Sequence, residues 1–145
     1  MNRVRRATTD NLGFLLAKAS KRWNELLAER FAEREFPEVR PSYGSVLVPL
    51  LEEDGLRMGE LASRSRVSKQ TMTTLVRLVE REGLVARRPD LEDGRATCVH
   101  LTDRAKAFRP IAEDTLAELD ELVEERLGAA QAKALQRALK EMMTL

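Results

Sequence analysis

Apolar residues recur at helical spacing through most of this chain, and the points where that period breaks divide it into elements. From Asp10 onward Leu12, Leu15, Leu16, Ala19, Trp23, Leu26, Leu27 and Phe31 share one face, which predicts a long amphipathic helix with Thr9 or Asp10 as its N-cap. The stretch Arg34–Pro41, with prolines at 37 and 41, ends that helix and forms a connector. A second helix is expected from about Ser42, carrying Val46, Leu47, Leu50 and Leu51, and Pro49 inside it predicts a kink or an early end. Glu52-Glu53-Asp54-Gly55 reads as a turn. Two short helical segments follow, Met58–Arg64 and Ser68–Glu82, separated only by Ser65-Arg66-Val67 and closed by Gly83.

The period then shifts to alternation. Leu84–Arg88 and Ala96–Leu101 read as strands around a loop at Pro89–Gly94. Thr102 can cap a further helix with Phe108, Ile111, Leu116, Leu119 and Val123 on one face. Gly128 breaks it, and Leu135, Ala138, Leu139 and Met142 mark a last helix. The predicted fold is mainly α with a small β-hairpin wing, a winged helix-turn-helix in the order α-α-α-α-β-β-α-α. Residues 1–36 are expected to be an N-terminal dimerisation helix, 42–103 the winged helix-turn-helix, and 104–145 C-terminal dimerisation helices. The apolar stripes of the terminal helices have too little chain left over to cover them, so a second copy is the simplest partner and a homodimer is expected.

Composition agrees with a helical protein: 43% of residues are hydrophobic, 34% charged and only 4% aromatic. The net charge of +1 is uninformative, but its distribution is not. Residues 57–109 hold 12 Lys/Arg against 7 Asp/Glu, whereas residues 110–145 hold 4 against 8. A cationic middle segment suits phosphate. The one cysteine, Cys98, excludes an internal disulfide framework, fits a reducing cytosol and reads as a packed thiol in a wing strand. His100, the only histidine, cannot build a metal site with Cys98, so neither metal nor cofactor is expected. No nucleophile-base set or glycine-rich phosphate loop is present, which argues against an enzyme. The N-terminus is basic without a sustained apolar core, and no stretch approaches the roughly 20 apolar residues of a membrane helix, so a cytoplasmic protein that does not enter a membrane is expected.

The helix-turn-helix carries the chemistry. Leu61, Ala62, Val67, Met72, Leu75, Val76 and Val79 form one apolar seam that holds the second short helix across the first. The opposite face presents Ser68, Lys69, Gln70, Thr73, Thr74 and Arg77, with Thr71 near its edge. From Val67 to Val79 there is no acid, whereas a merely solvated helix usually mixes Glu with Lys. Such a face can enter a major groove about 12 Å wide, where Gln and Arg read base edges while Ser and Thr meet phosphates or thymine methyls. Arg87, Arg88 and Arg95 flank the wing loop and can reach phosphates or a minor groove. Asp90, Glu92 and Asp93 would repel phosphate. Asp93 is therefore expected to pair inside the wing, leaving Arg95 or Arg87 for DNA. The alternative, a winged-helix protein-interaction module without DNA binding, should show acidic or apolar residues on that helix face.

The run SKQTMTTLVRLVEREGLVARRPDLEDGRATCVHLT resembles the recognition helix and wing of the MarR family (multiple antibiotic resistance regulators). The wing pattern of that family is met by Asp93-Gly94-Arg95 followed by Leu101-Thr102, and GELASRSRVSKQ resembles the preceding helix and turn. Ala105 stands where the family often has Gly. The resemblance implies an obligate dimer with interleaved terminal helices, a pseudo-palindromic double-stranded DNA operator, and repression relieved by a small lipophilic or phenolic effector. It places DNA contacts on Ser68, Gln70, Thr71, Thr73, Thr74, Arg77 and Arg95. It also places a ligand pocket between the long helix and the second, for which Trp23 and Tyr43 are the candidates. Relatives that sense oxidation use a cysteine in the first helix, which this chain lacks.

Overall fold

The computed structural model describes residues 7–145; the basic start of the expected 1–36 segment lies outside the described residues. The elements are α1 (Leu12–Glu33), a 3-10 turn (Pro41–Tyr43), α2 (Gly44–Glu52), β1 (Leu56–Arg57), α3 (Met58–Arg64), α4 (Lys69–Arg81), β2 (Val85–Pro89), β3 (Thr97–Leu101), α5 (Asp103–Leu127) and α6 (Ala129–Met142). This is the winged helix-turn-helix expected, with small departures in detail. The N-cap of α1 is Asn11, not Thr9 or Asp10. Its side-chain oxygen accepts the Phe14 N–H at 3.2 Å, and it is the last residue with extended backbone.

Pro49 does not stop α2, which continues to Glu52. Proline lacks the N–H that would bond the carbonyl four residues back, so the Ser45 carbonyl loses its helical partner. The Ser65 hydroxyl, from the end of α3, donates to that carbonyl instead. The defect in one helix thus becomes a tether to the helix-turn-helix. Pro110 likewise lies inside an unbroken α5.

The sheet has three antiparallel strands in the order β1-β3-β2, with Leu56 opposite Val99 and Val85 opposite Leu101. The two-residue β1 was not expected, because two residues cannot display an alternation. Asp54 anchors it: one carboxylate oxygen accepts the N–H of Gly55 and the N–H of Leu101, both at 2.9 Å. Gly55 has φ +73°, and a Cβ there would lie 2.9 Å from the imidazole of His100, so any other residue would strain the backbone and push the imidazole aside. The lone histidine is a packing group over this turn.

Leu50, Leu61, Met72, Val76, Val79, Leu84 and Val99 form the fully buried centre, joining α2, the helix-turn-helix and the sheet. Phe108 of α5 extends it, meeting Phe31 edge-on at 4.8 Å and Phe36 at 5.1 Å. Behind them Arg34 locks α1 to α5, donating to the buried Thr115 hydroxyl at 2.6 Å and to both Glu118 oxygens at 2.7 Å. Cys98 is buried, and desolvation raises its thiol pKa. In contrast α6 has no buried residue in the single chain.

Candidate nucleic-acid interface

The outer face of α4 is built from its cap upward. Ser68 has extended backbone, and its Oγ accepts the Thr71 N–H at 3.0 Å while donating to the Thr71 hydroxyl at 2.8 Å. The cap starts the helix and leaves other first-turn N–H groups pointing outward, where they favour an anion. Met72, Val76 and Val79 are buried against α2 and α3, which turns Ser68, Lys69, Gln70, Thr71, Thr74 and Arg77 to solvent with Thr73 half-buried beside them. The Thr73 and Thr74 hydroxyls donate to the carbonyls of Lys69 and Gln70, at 2.8 and 3.2 Å. With their protons committed to the helix, these two threonines offer methyls and acceptor lone pairs, which suits a thymine methyl or an exocyclic amine. Neither Lys69 nor Arg77 has an acidic partner among the described residues.

The wing corrects the expected division of its charges. The partner of Asp93 is Arg95 itself, at 3.4 Å, and the Arg95 side chain remains 95% exposed. Asp93 also accepts the Arg95 N–H at 3.1 Å, and Asp90 N–H donates to Ala96 O at 2.9 Å, so the loop holds its own shape. Asp90 pairs with Arg57 of β1, a partner no sequence spacing suggested. Its carboxyl is held below the usual range, mainly by the N–H of Glu92 and then by Arg57. Arg87 is turned back to Glu80 of α4, to which both its backbone and its side chain donate. That pairing lowers the Glu80 pKa and raises that of Arg87. The wing arginine with no partner among the described residues is Arg88, exposed on β2. Glu80 and Arg57 carry no signal in the sequence, because their pairings depend on elements meeting in space.

A second feature lies on the other side of α2. A cavity of about 390 Å³ opens between α1, the connector, α2 and α5, walled by Leu27, Phe31, Val39, Leu47, Leu51 and Phe108. Arg40, Glu52, Arg109 and Glu113 also border it, and Arg109 donates to the Leu51 carbonyl at 2.6 Å. Trp23 and Tyr43 do not line it. Tyr43 is buried in the core and Trp23 sits half-buried at the core's edge. Helical spacing identified Trp23 as core-facing but could not say which neighbour it meets.

Residues 41–97, from the 3-10 turn to the start of β3, match the model of the MarR family. The HTH-type transcriptional repressor Rv2887 of Mycobacterium tuberculosis is 34% identical over 93 residues, covering 64% of this chain and 67% of that protein. Among solved structures, the transcriptional repressor CouR bound to a 23-mer DNA duplex superposes with a TM-score of 0.77 at 23% identity, covering 96% of this chain and 99% of CouR. The PcaV regulator of Streptomyces coelicolor, in complex with its natural ligand, gives 0.79 at 18% identity over 97% of this chain and 98% of PcaV. At these identities the structural likeness is one of fold.

Proposed function

The chain belongs to the MarR family, and from that premise we propose that it is a sequence-specific DNA-binding transcription repressor that acts as a homodimer. The observation that carries this is the outer face of α4: capped, cationic, free of acid through its first three turns, and flanked by a wing with exposed arginines. Gln70 and Arg77 read base edges, Ser68, Lys69 and Thr71 meet phosphates, and Thr73 and Thr74 contact methyl or amine groups. Arg87, Arg88 and Arg95 follow the backbone or the minor groove beside the wing. The acidic residues expected on that face of a module that bound only protein are absent from Val67 to Val79. The repressor name of Rv2887 and the duplex in the CouR structure support the same reading. The proposed role is binding, not catalysis, and is exercised in the cytoplasm with the chromosome.

Two copies are needed for the operator and for the chain itself. Leu12, Leu15, Leu122, Leu135, Leu139 and Met143 of the terminal helices are exposed by 40–61% in the single chain. A second copy would bury them and set two α4 helices about 34 Å apart on a pseudo-palindromic operator. The apolar cavity beside α2 is the seat proposed for a small lipophilic or phenolic effector that releases the DNA. Its wall α2 is the same helix tethered to α3 through Ser65, so occupancy can reach the recognition helix.

The test is capture of fragmented genomic DNA by the purified protein at physiological salt, followed by sequencing of what remains bound. A few promoters sharing an inverted repeat with half-sites about one helical turn apart would establish the dimeric regulator and name its genes. Background recovery from folded protein, with small molecules removed by refolding, would overturn it in favour of a protein partner.

A further inference from the structure

We propose that Glu80 is a positioning residue for DNA binding: it holds Arg87 so that the free edge of the guanidinium meets a backbone phosphate beside the recognition helix. The proposal rests on the DNA-binding reading above. Glu80 stands in the last turn of α4 and Arg87 on β2, and one carboxylate fixes the arginine at three points. Glu80 Oε2 accepts the Arg87 backbone N–H at 3.2 Å and Nε–H at 3.1 Å, and Oε1 accepts from Nη2 at 3.0 Å. This is the side-on pairing of a guanidinium, and it leaves Nη1 without an acceptor among the described residues.

The surroundings fit an anion. Glu80, Arg87, Arg88, Pro89, Gly94 and Thr97 border an open groove of about 280 Å³ between the last turn of α4 and the wing. Two cations face one carboxylate there, and that carboxylate already accepts three hydrogen bonds. An arginine fixed at both its backbone and its side chain loses little conformational freedom on meeting a phosphate, whereas an unanchored one must give up most of its rotamers.

The consequence runs against simple electrostatics. Removing an acid beside a phosphate should tighten binding; removing a positioning acid should weaken it. The experiment titrates the full-length protein into a labelled random-sequence duplex at salt between about 50 and 200 mM, where phosphate contacts dominate. Glu80→Ala is expected to bind about five- to tenfold more weakly, with the slope of log affinity against log salt reduced by about 1.8, since a dimer loses one phosphate contact from each copy. Glu80→Gln, which keeps one acceptor, recovers most of the loss. In an Arg87→Ala background, Glu80→Ala has no further effect. Arg87→Lys keeps the charge but cannot form the side-on pair, and it is expected to bind as weakly as Arg87→Ala, which tests the idea even if Glu80→Ala folds poorly. Equal or tighter binding by Glu80→Ala, a loss that persists without Arg87, or full-strength binding by Arg87→Lys would overturn the role of Glu80. If the wild-type protein bound no duplex even at the low-salt end, the DNA-binding reading itself would fall and this inference with it.

Discussion

Arg77 and Arg95 both point to solvent, but what surrounds them differs, and so should the effect of losing each. Arg77 projects from the middle of α4, about one turn beyond Thr73 and Thr74, on a rigid helix whose inner face is fully buried. A side chain placed that firmly can read a base. Arg77→Ala is expected to cost about 1–3 kcal/mol in operator binding and to relax discrimination at one base pair. Titration against operators varied at single positions checks this, and a loss uniform across them makes Arg77 a phosphate contact. Arg95 sits on a self-bonded loop, 95% exposed, with one 3.4 Å contact to Asp93. Its removal leaves no buried group unsatisfied, so Arg95→Ala should weaken DNA binding while the melting temperature stays the same. An unchanged dissociation constant would take the wing loop out of the interface.

Three helices end the same way, and only one of those ends could be read from residue types. In α1, α3 and α4 the second residue past the cap donates five residues back: Phe36 to Phe31, Val67 to Ala62 and Leu84 to Val79, at 2.8, 3.1 and 3.2 Å. This closure needs a left-handed residue just beyond the cap. At the end of α4 it is Gly83, which announces the stop; at the others it is Glu35 (φ 72°) and Arg66 (φ 55°), which do not. The tight helix-turn-helix was still legible, because the apolar Val67 and the Ser68 cap are local signals immediately after Arg66. The recognition face was legible for the same reason: cap, apolar seam and acid-free run all lie within one helix. The Ser65 tether, the two-residue β1 and the Arg57–Asp90 and Glu80–Arg87 pairs were not, since each depends on distant segments meeting. The left-handed Glu35 gives a prediction of unusual sign. An L-residue pays about 1–2 kcal/mol for that conformation, and glycine costs about 0.5–1 kcal/mol in unfolded-chain entropy. Arg104 hydrogen-bonds the Glu35 carbonyl, which glycine keeps, and its attraction to the exposed Glu35 carboxylate is secondary to its pairing with Glu38. Glu35→Gly should therefore stabilise the fold by about 0.5–1 kcal/mol in urea denaturation, and destabilisation would mean that the Glu35 side chain has a role its exposed position does not reveal.

At the scale of the whole molecule, the terminal helices are the least self-sufficient part. The winged helix-turn-helix has a complete core, whereas α6 buries nothing and aligns Leu135, Leu139 and Met143 along one exposed edge, four residues apart. In a lone chain a charge at Leu139 would be an ordinary surface change, within about 0.5 kcal/mol of neutral. In a dimer that edge lies at the interface, and the same charge would be desolvated without a partner at a cost of several kcal/mol. The two cases separate cleanly in Leu139→Glu. If the chain is a dimer, the wild-type melting temperature rises with protein concentration, because association favours the folded state. Leu139→Glu then sediments as a monomer and loses that dependence, yet keeps its helical signal because the core around α2 and α4 is untouched. The variant's DNA affinity should fall to that of a single half-site, since one recognition helix spans only half of an inverted repeat. If instead the wild-type melting temperature is independent of concentration and Leu139→Glu melts and binds DNA as the wild type does, the α6 edge is not an interface. The pairing that sets operator spacing would then have to come from α1 and α5.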